Sequence, residues 1–147
     1  MKKLVRTFVT FFMIACLTLS MSGCMSNDWA KVRDKLVNKG YSINTETTDA
    51  GEIGEFLSDF YVNDYAIIVD PVDISCVLTA TNSAKMIVIV FCKDNNSAKR
   101  VSQSFKSDKI KLCSELGVYS KDYKTGKSGK VVYFGHKDAV RTAKWGF

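Results

Sequence analysis

Residues 86–92, MIVIVFC, are apolar at every position. A strand with both faces apolar belongs in the middle of a sheet that is covered on both sides. Just upstream, Val72, Ile74, Cys76 and Leu78 alternate with Asp73, Ser75 and Thr79, the period of a half-buried strand. A polar turn over 81–85 joins the two as a hairpin. Earlier in the chain, Trp29, Val32, Leu36 and Val37 recur at helical spacing, with Ser26 or Asn27 as the cap and Gly40 as the stop. Tyr41, Ile43 and Thr45 then alternate as a short strand. Asp49 and Glu52 have capping-box spacing ahead of Ile53, Phe56, Leu57, Phe60 and Tyr61, which share one helical face and predict a helix ending near Val62. Residues 65–69 read as a strand that Pro71 interrupts, since proline withholds an N–H from the ladder.

Beyond the central hairpin, Asn95 or Asn96 caps a third helix. Its apolar face is Ala98, Val101, Phe105, Leu112 and Leu116, with a polar gap at Ser107 and Asp108. The gap predicts a kink or two short helices in series, closed by Gly117. Residues 118–130, rich in Tyr, Lys and Gly, predict a loop or irregular hairpin arm and the most mobile part of the domain. Residues 131–134 form a short strand. Gly135 and His136 open a last helix that turns Ala139, Val140 and Ala143 inward, and Trp145 and Phe147 leave it with an adhesive end. The order α-β-α-β-β-β-α-β-α predicts an α+β fold, a small and mostly antiparallel sheet of about four to five strands with helices packed on it. That domain follows an N-terminal signal segment.

The segment is legible in charge as well as hydropathy. Lys2, Lys3 and Arg6 precede residues 7–19, which carry no charge and are apolar apart from threonines. That run falls short of the about 20 residues of a membrane span. It matches the roughly 7–15 residues of a signal-peptide core. It ends in Met21-Ser22-Gly23-Cys24, which resembles the lipobox of bacterial lipoprotein precursors. Ser22 and Gly23 supply the small residues before the cysteine, and Met21 stands where Leu, Val or Ile is usual. The resemblance covers the precursor segment alone. It implies a diacylglycerol on Cys24 and cleavage just before it. Residues 1–23 are then the signal peptide, and residues 24–147 one extracytoplasmic domain anchored by lipid at the cell membrane. Cys16 is the second choice, because cleavage there would leave the apolar residues 17–19 at the new start. Retention of the segment as an uncleaved anchor helix is the other alternative. Residues 25–27 make only a very short tether.

Removing residues 1–23 takes away three cations and no acid, so the formal charge falls from +6 to +3. A mildly cationic domain is drawn toward anionic membranes or envelope polymers. No arginine cluster interleaved with aromatics is present, so nucleic acid is not an expected partner. Cys76, Cys92 and Cys113 are odd in number and form no C-x-x-C, and His136 is the sole histidine. No metal and no cofactor is expected. Three apolar core thiols, or one disulfide among them, both fit.

Candidate chemistry is sparse. Gly126-Lys127-Ser128 lacks the upstream glycine of a phosphate-binding loop, since Lys121 stands there. Asp70 and Asp73 are too few for calcium, which takes six to eight oxygens. His136 has only Asp138 as a nearby orienting partner. The most suggestive group is Tyr119, Lys121, Tyr123, Lys124, Lys127 and Lys130, a mixture of aromatics and cations suited to anionic ligands. The expected function is a non-enzymatic binding or interaction module of the bacterial envelope. It touches the membrane through Cys24 and meets an envelope protein or an anionic polymer. The alternative is an envelope enzyme, or an accessory subunit of one, with its site near His136. A third expectation is docking to a partner through residues 145–147.

Overall fold

The computed structural model describes residues 23–60 and 69–147. Its elements are α1 (Trp29–Asn38), β1 (Ser42–Thr47), α2 (Ala50–Phe60), β2 (Ile74–Asn82), β3 (Lys85–Cys92), α3 (Asn95–Glu115), β4 (Tyr123–Ser128), β5 (Val131–His136) and α4 (Lys137–Trp145). The fold is α+β, and the five strands form one antiparallel sheet in the order β1-β2-β3-β5-β4. The strand predicted at 65–69 falls almost wholly outside the described residues.

β3 lies at the centre, and its alternation divides two cores. Val88, Val90 and Cys92 join Val77, Val132, Phe134 and Tyr123 beneath α2 and α3. Ile87, Ile89 and Phe91 join Cys76, Leu78, Ala80, Val131 and Tyr133 beneath α1 and α4. The first core is aromatic: Phe60, Phe105 and Phe134 meet with ring centroids about 6 Å apart. The second is mostly aliphatic, with Tyr41, Phe91 and Tyr133 among its aliphatic side chains, and Ala139 and Ala143 keep α4 close to the sheet.

The helix ends follow from local chemistry. Asp28 caps α1, with its carboxylate accepting from the Ala30 and Lys31 N–H groups. Asp94 caps α3 through the Asn96 and Ser97 N–H groups at 2.7 and 2.8 Å. In both cases an aspartate displaces the predicted Ser or Asn, because a charge-assisted acceptor satisfies the orphan donors better. Asp49 caps α2 as expected. The Glu52 side chain does not close the box; it accepts from the Thr47 hydroxyl instead. α1 and α3 both end in a Schellman motif, with Gly40 and Gly117 at positive φ and the following residue donating back to Leu36 and Cys113.

Four expectations are corrected or narrowed. β2 carries a bulge at Ser75, which has no partner between the Ile74–Cys92 and Cys76–Phe91 pairs. Ile74 therefore enters the aromatic core while Cys76 and Leu78 enter the other, and β2 is buried on both faces. α3 is one continuous helix across the polar gap, where Ser104 donates to the buried Asp108 carboxylate at 3.4 Å. Val37 points outward and is half-exposed. Residues 118–130 take the hairpin-arm form of the two expected: a 3-10 turn at Ser120–Asp122 leads into β4, an edge strand paired with β5 along its full length.

Candidate functional site

Cys76, Cys92 and Cys113 are buried free thiols, and no disulfide joins them. Burial pushes the Cys92 thiol up to about 12 and that of Cys76 to about 11. These thiols are core residues and poor nucleophiles, because the thiolate is the reactive form. Cys24 is the one exposed cysteine among the described residues. The chain enters the core at the next residue: Met25 is buried, and its N–H donates to the Ser128 hydroxyl at 2.9 Å. No tether separates Cys24 from the domain. The backbone of Gly23 lies against the Trp145 indole, and a Cβ at that position would overlap the ring.

The six predicted aromatic and cationic residues are not brought together. β4 spans about 17 Å at strand rise, and it divides them between the two ends of the sheet. Tyr119 is exposed at the His136 end, with the Lys121 ammonium 5.5 Å from its ring centre. Tyr123 is buried, and its hydroxyl donates to the Ala84 carbonyl at 3.3 Å. It belongs to the core, not to a ligand surface. Lys124 and Lys127 fall on opposite faces of β4, the latter donating to the Gly129 carbonyl at 2.8 Å. Lys130 sits in the two-residue turn between β4 and β5.

At the His136 end, the polar groups satisfy one another. His136 caps α4: its Nδ1 accepts from the Asp138 N–H at 3.2 Å. The Asp138 carboxylate receives Lys85 Nζ at 2.8 Å and an Arg141 nitrogen at 3.1 Å. The Lys85 hydrogen bond holds that carboxyl below the usual aspartate range. Lys137 pairs with Asp122 at 3.0 Å. His136 Nδ1 is thus engaged as the α4 cap, and the Asp138 carboxylate beside it is held by Lys85 and Arg141. Among the described residues, no group of Cys, His, Asp or Glu is placed to hold a metal ion.

The Cys24 end differs. A cleft of about 330 Å³ opens there over the unpaired Ser75. Asn27 and Trp29 line it from the start of α1, Phe91, Cys92 and Lys93 from the end of β3, and Lys130 and Val131 from the β4–β5 turn. Lys93 and Lys130 are exposed. Aromatic and apolar walls with two cations suit an anionic group on an apolar body. Lys130 was legible as a candidate. Asn27, Trp29, Ser75 and Lys93 were not, because four separate segments meet only through the sheet.

No helix among the described residues is long and apolar enough to cross a membrane. No known family model matches the chain, and no curated protein or solved structure matches it.

Proposed function

We infer that the chain is a bacterial lipoprotein, exported, cleaved before Cys24 and held by a diacylglycerol on that residue at the extracytoplasmic face of the cell membrane. It acts there as a small non-enzymatic binding module. The observation that carries the reading is the environment of Cys24, an exposed thiol at the point where the chain enters the core, beside three thiols sealed inside. The lipobox-like Met21-Ser22-Gly23-Cys24 supplies the processing signal. The engaged state of His136 and Asp138 favours binding over catalysis. The cleft flanked by Lys93 and Lys130 is the binding surface, and it takes an anionic envelope component.

Cell fractionation tests this. Wild-type protein is expected in the membrane fraction, resistant to high salt. Cys24→Ser is expected to lose the lipid and accumulate unprocessed, with its full signal segment. Processing of Cys24→Ser at the wild-type position, with the same membrane retention, contradicts the reading.

A further inference from the structure

Resting on that lipoprotein reading, we propose that the Cys24 end is a bilayer-docking face on which Trp145 and Phe147 lie in the headgroup region beside the acylated cysteine. The domain is then held flush against the membrane at two points and does not swing from one.

Position is the first argument. Gly23 packs on the Trp145 indole, so the neighbouring Cys24 lies about one residue step, 3.8 Å along the chain, from that contact. Met25 is already fixed in the core. A lipid on Cys24 therefore brings its bilayer to the edge of the domain, where Trp145 is. Cleavage before Cys24 removes Gly23, which uncovers the indole face beside the lipid-bearing sulfur.

Chemistry is the second. Trp145 is 39% exposed and Phe147 67%. Their rings stack, with centroids 6.2 Å apart and planes 24° from parallel. Indole combines a large apolar body with one N–H, the combination enriched where hydrocarbon meets headgroups.

Charge is the third. Lys144 lies beside the pair, with Nζ 4.8 Å from the centre of the Tyr133 ring. Lys35 reaches across to donate to the Lys144 carbonyl at 2.7 Å. Lys130, exposed in the β4–β5 turn, adds a further cation at this end, and cations near an anionic leaflet are attracted to it.

The test uses protein purified from membranes and reconstituted in vesicles of phosphatidylglycerol and chain-brominated phosphatidylcholine, which quenches only tryptophans that reach the acyl boundary. Tryptophan occurs only at positions 29 and 145, so wild type is compared with Trp145→Phe. The wild-type protein is expected to show a blue-shifted component quenched about two-fold or more, given the roughly 5–10 Å insertion of interfacial apolar faces. Trp145→Phe is expected to lack that component. An intact mass of the same sample reports the anchor separately. Lipid on Cys24 with an unquenched Trp145 overturns the docking and leaves the anchor standing. Quenching without lipid supports the docking and overturns the anchor. Absence of both overturns both.

Discussion

The two ends of the sheet use the same kinds of residue differently. At the His136 end, Lys85, Asp138, Arg141, His136, Lys137 and Asp122 are tied into caps and ion pairs with one another. At the Cys24 end, Lys93 and Lys130 flank a cleft, Trp145 and Phe147 are exposed, and the thiol of Cys24 is open. One end is closed on itself. The other presents unsatisfied chemistry to its surroundings. Substitutions should therefore change stability at the first end and surface binding at the second.

The largest stability effect belongs to Gly135. A Cβ there would lie 2.7–2.9 Å from the Cγ1, Cβ and Cα atoms of Ile87 on the central strand. Backbone is involved, so the clash cannot be relieved by a rotamer change. Gly135→Ala is expected to destabilise by about 1–3 kcal/mol in urea unfolding. His136→Ala should cost about 1 kcal/mol through the lost α4 cap, and His136→Asn should restore most of it, because asparagine is a good cap. Binding of an anionic ligand should survive the Asn variant unchanged; its loss would relocate the site to the His136 end.

Ser83 sharpens the comparison in the opposite direction. Both two-residue hairpin turns hold their first central residue at positive φ, Ser83 at 53° and Gly129 at 58°. Glycine suits that conformation and serine does not. Ser83→Gly is expected to stabilise by about 0.5–1 kcal/mol, read as a rise in the denaturation midpoint.

Acid acts at the same end. Asp138 is held below its ordinary value, first by the Lys85 hydrogen bond. Between that lowered value and the unfolded one, the unfolded state binds more protons. The contribution of the pair is thus complete at neutral pH and lost as pH falls through about 4 and below. Lys85→Met should flatten the stability profile in that window relative to wild type. At the other end, Lys93→Ser with Lys130→Ser should leave stability within about 0.5 kcal/mol, as exposed positions usually do. The same pair should weaken binding to anionic polymer. A stability loss above that range would mean that the cleft rim is structural.

The two ends were unequally legible in the sequence. The unbroken apolar run of β3 and the helical periodicity of α1 and α2 predict those elements, because burial dominates their formation. The glycine stops at Gly40 and Gly117 are local and appear as expected. β4 is obscure, since YKTGKS lacks alternation and has Tyr123 as its one apolar side chain. It becomes a strand because Gly129 turns the chain back along β5 and the Tyr133 ring covers Gly126, both consequences of tertiary pairing. Its lysines suit an exposed edge and discourage a further strand from adding there. The bulge at Ser75 was hidden for a related reason. Ile74, Cys76 and Leu78 keep period two in sequence, and only the pairing with β3 shows the slip. The cleft inherits that invisibility, because it opens over the slipped residue.

The most direct test of the central claim is the intact mass of the protein extracted from its native membranes, with sequencing of its first residues. The account predicts a chain that begins at Cys24 and carries diacylglycerol there, with Cys76, Cys92 and Cys113 unmodified. A chain that retains Met1, or one that begins at Cys24 without lipid, would contradict it.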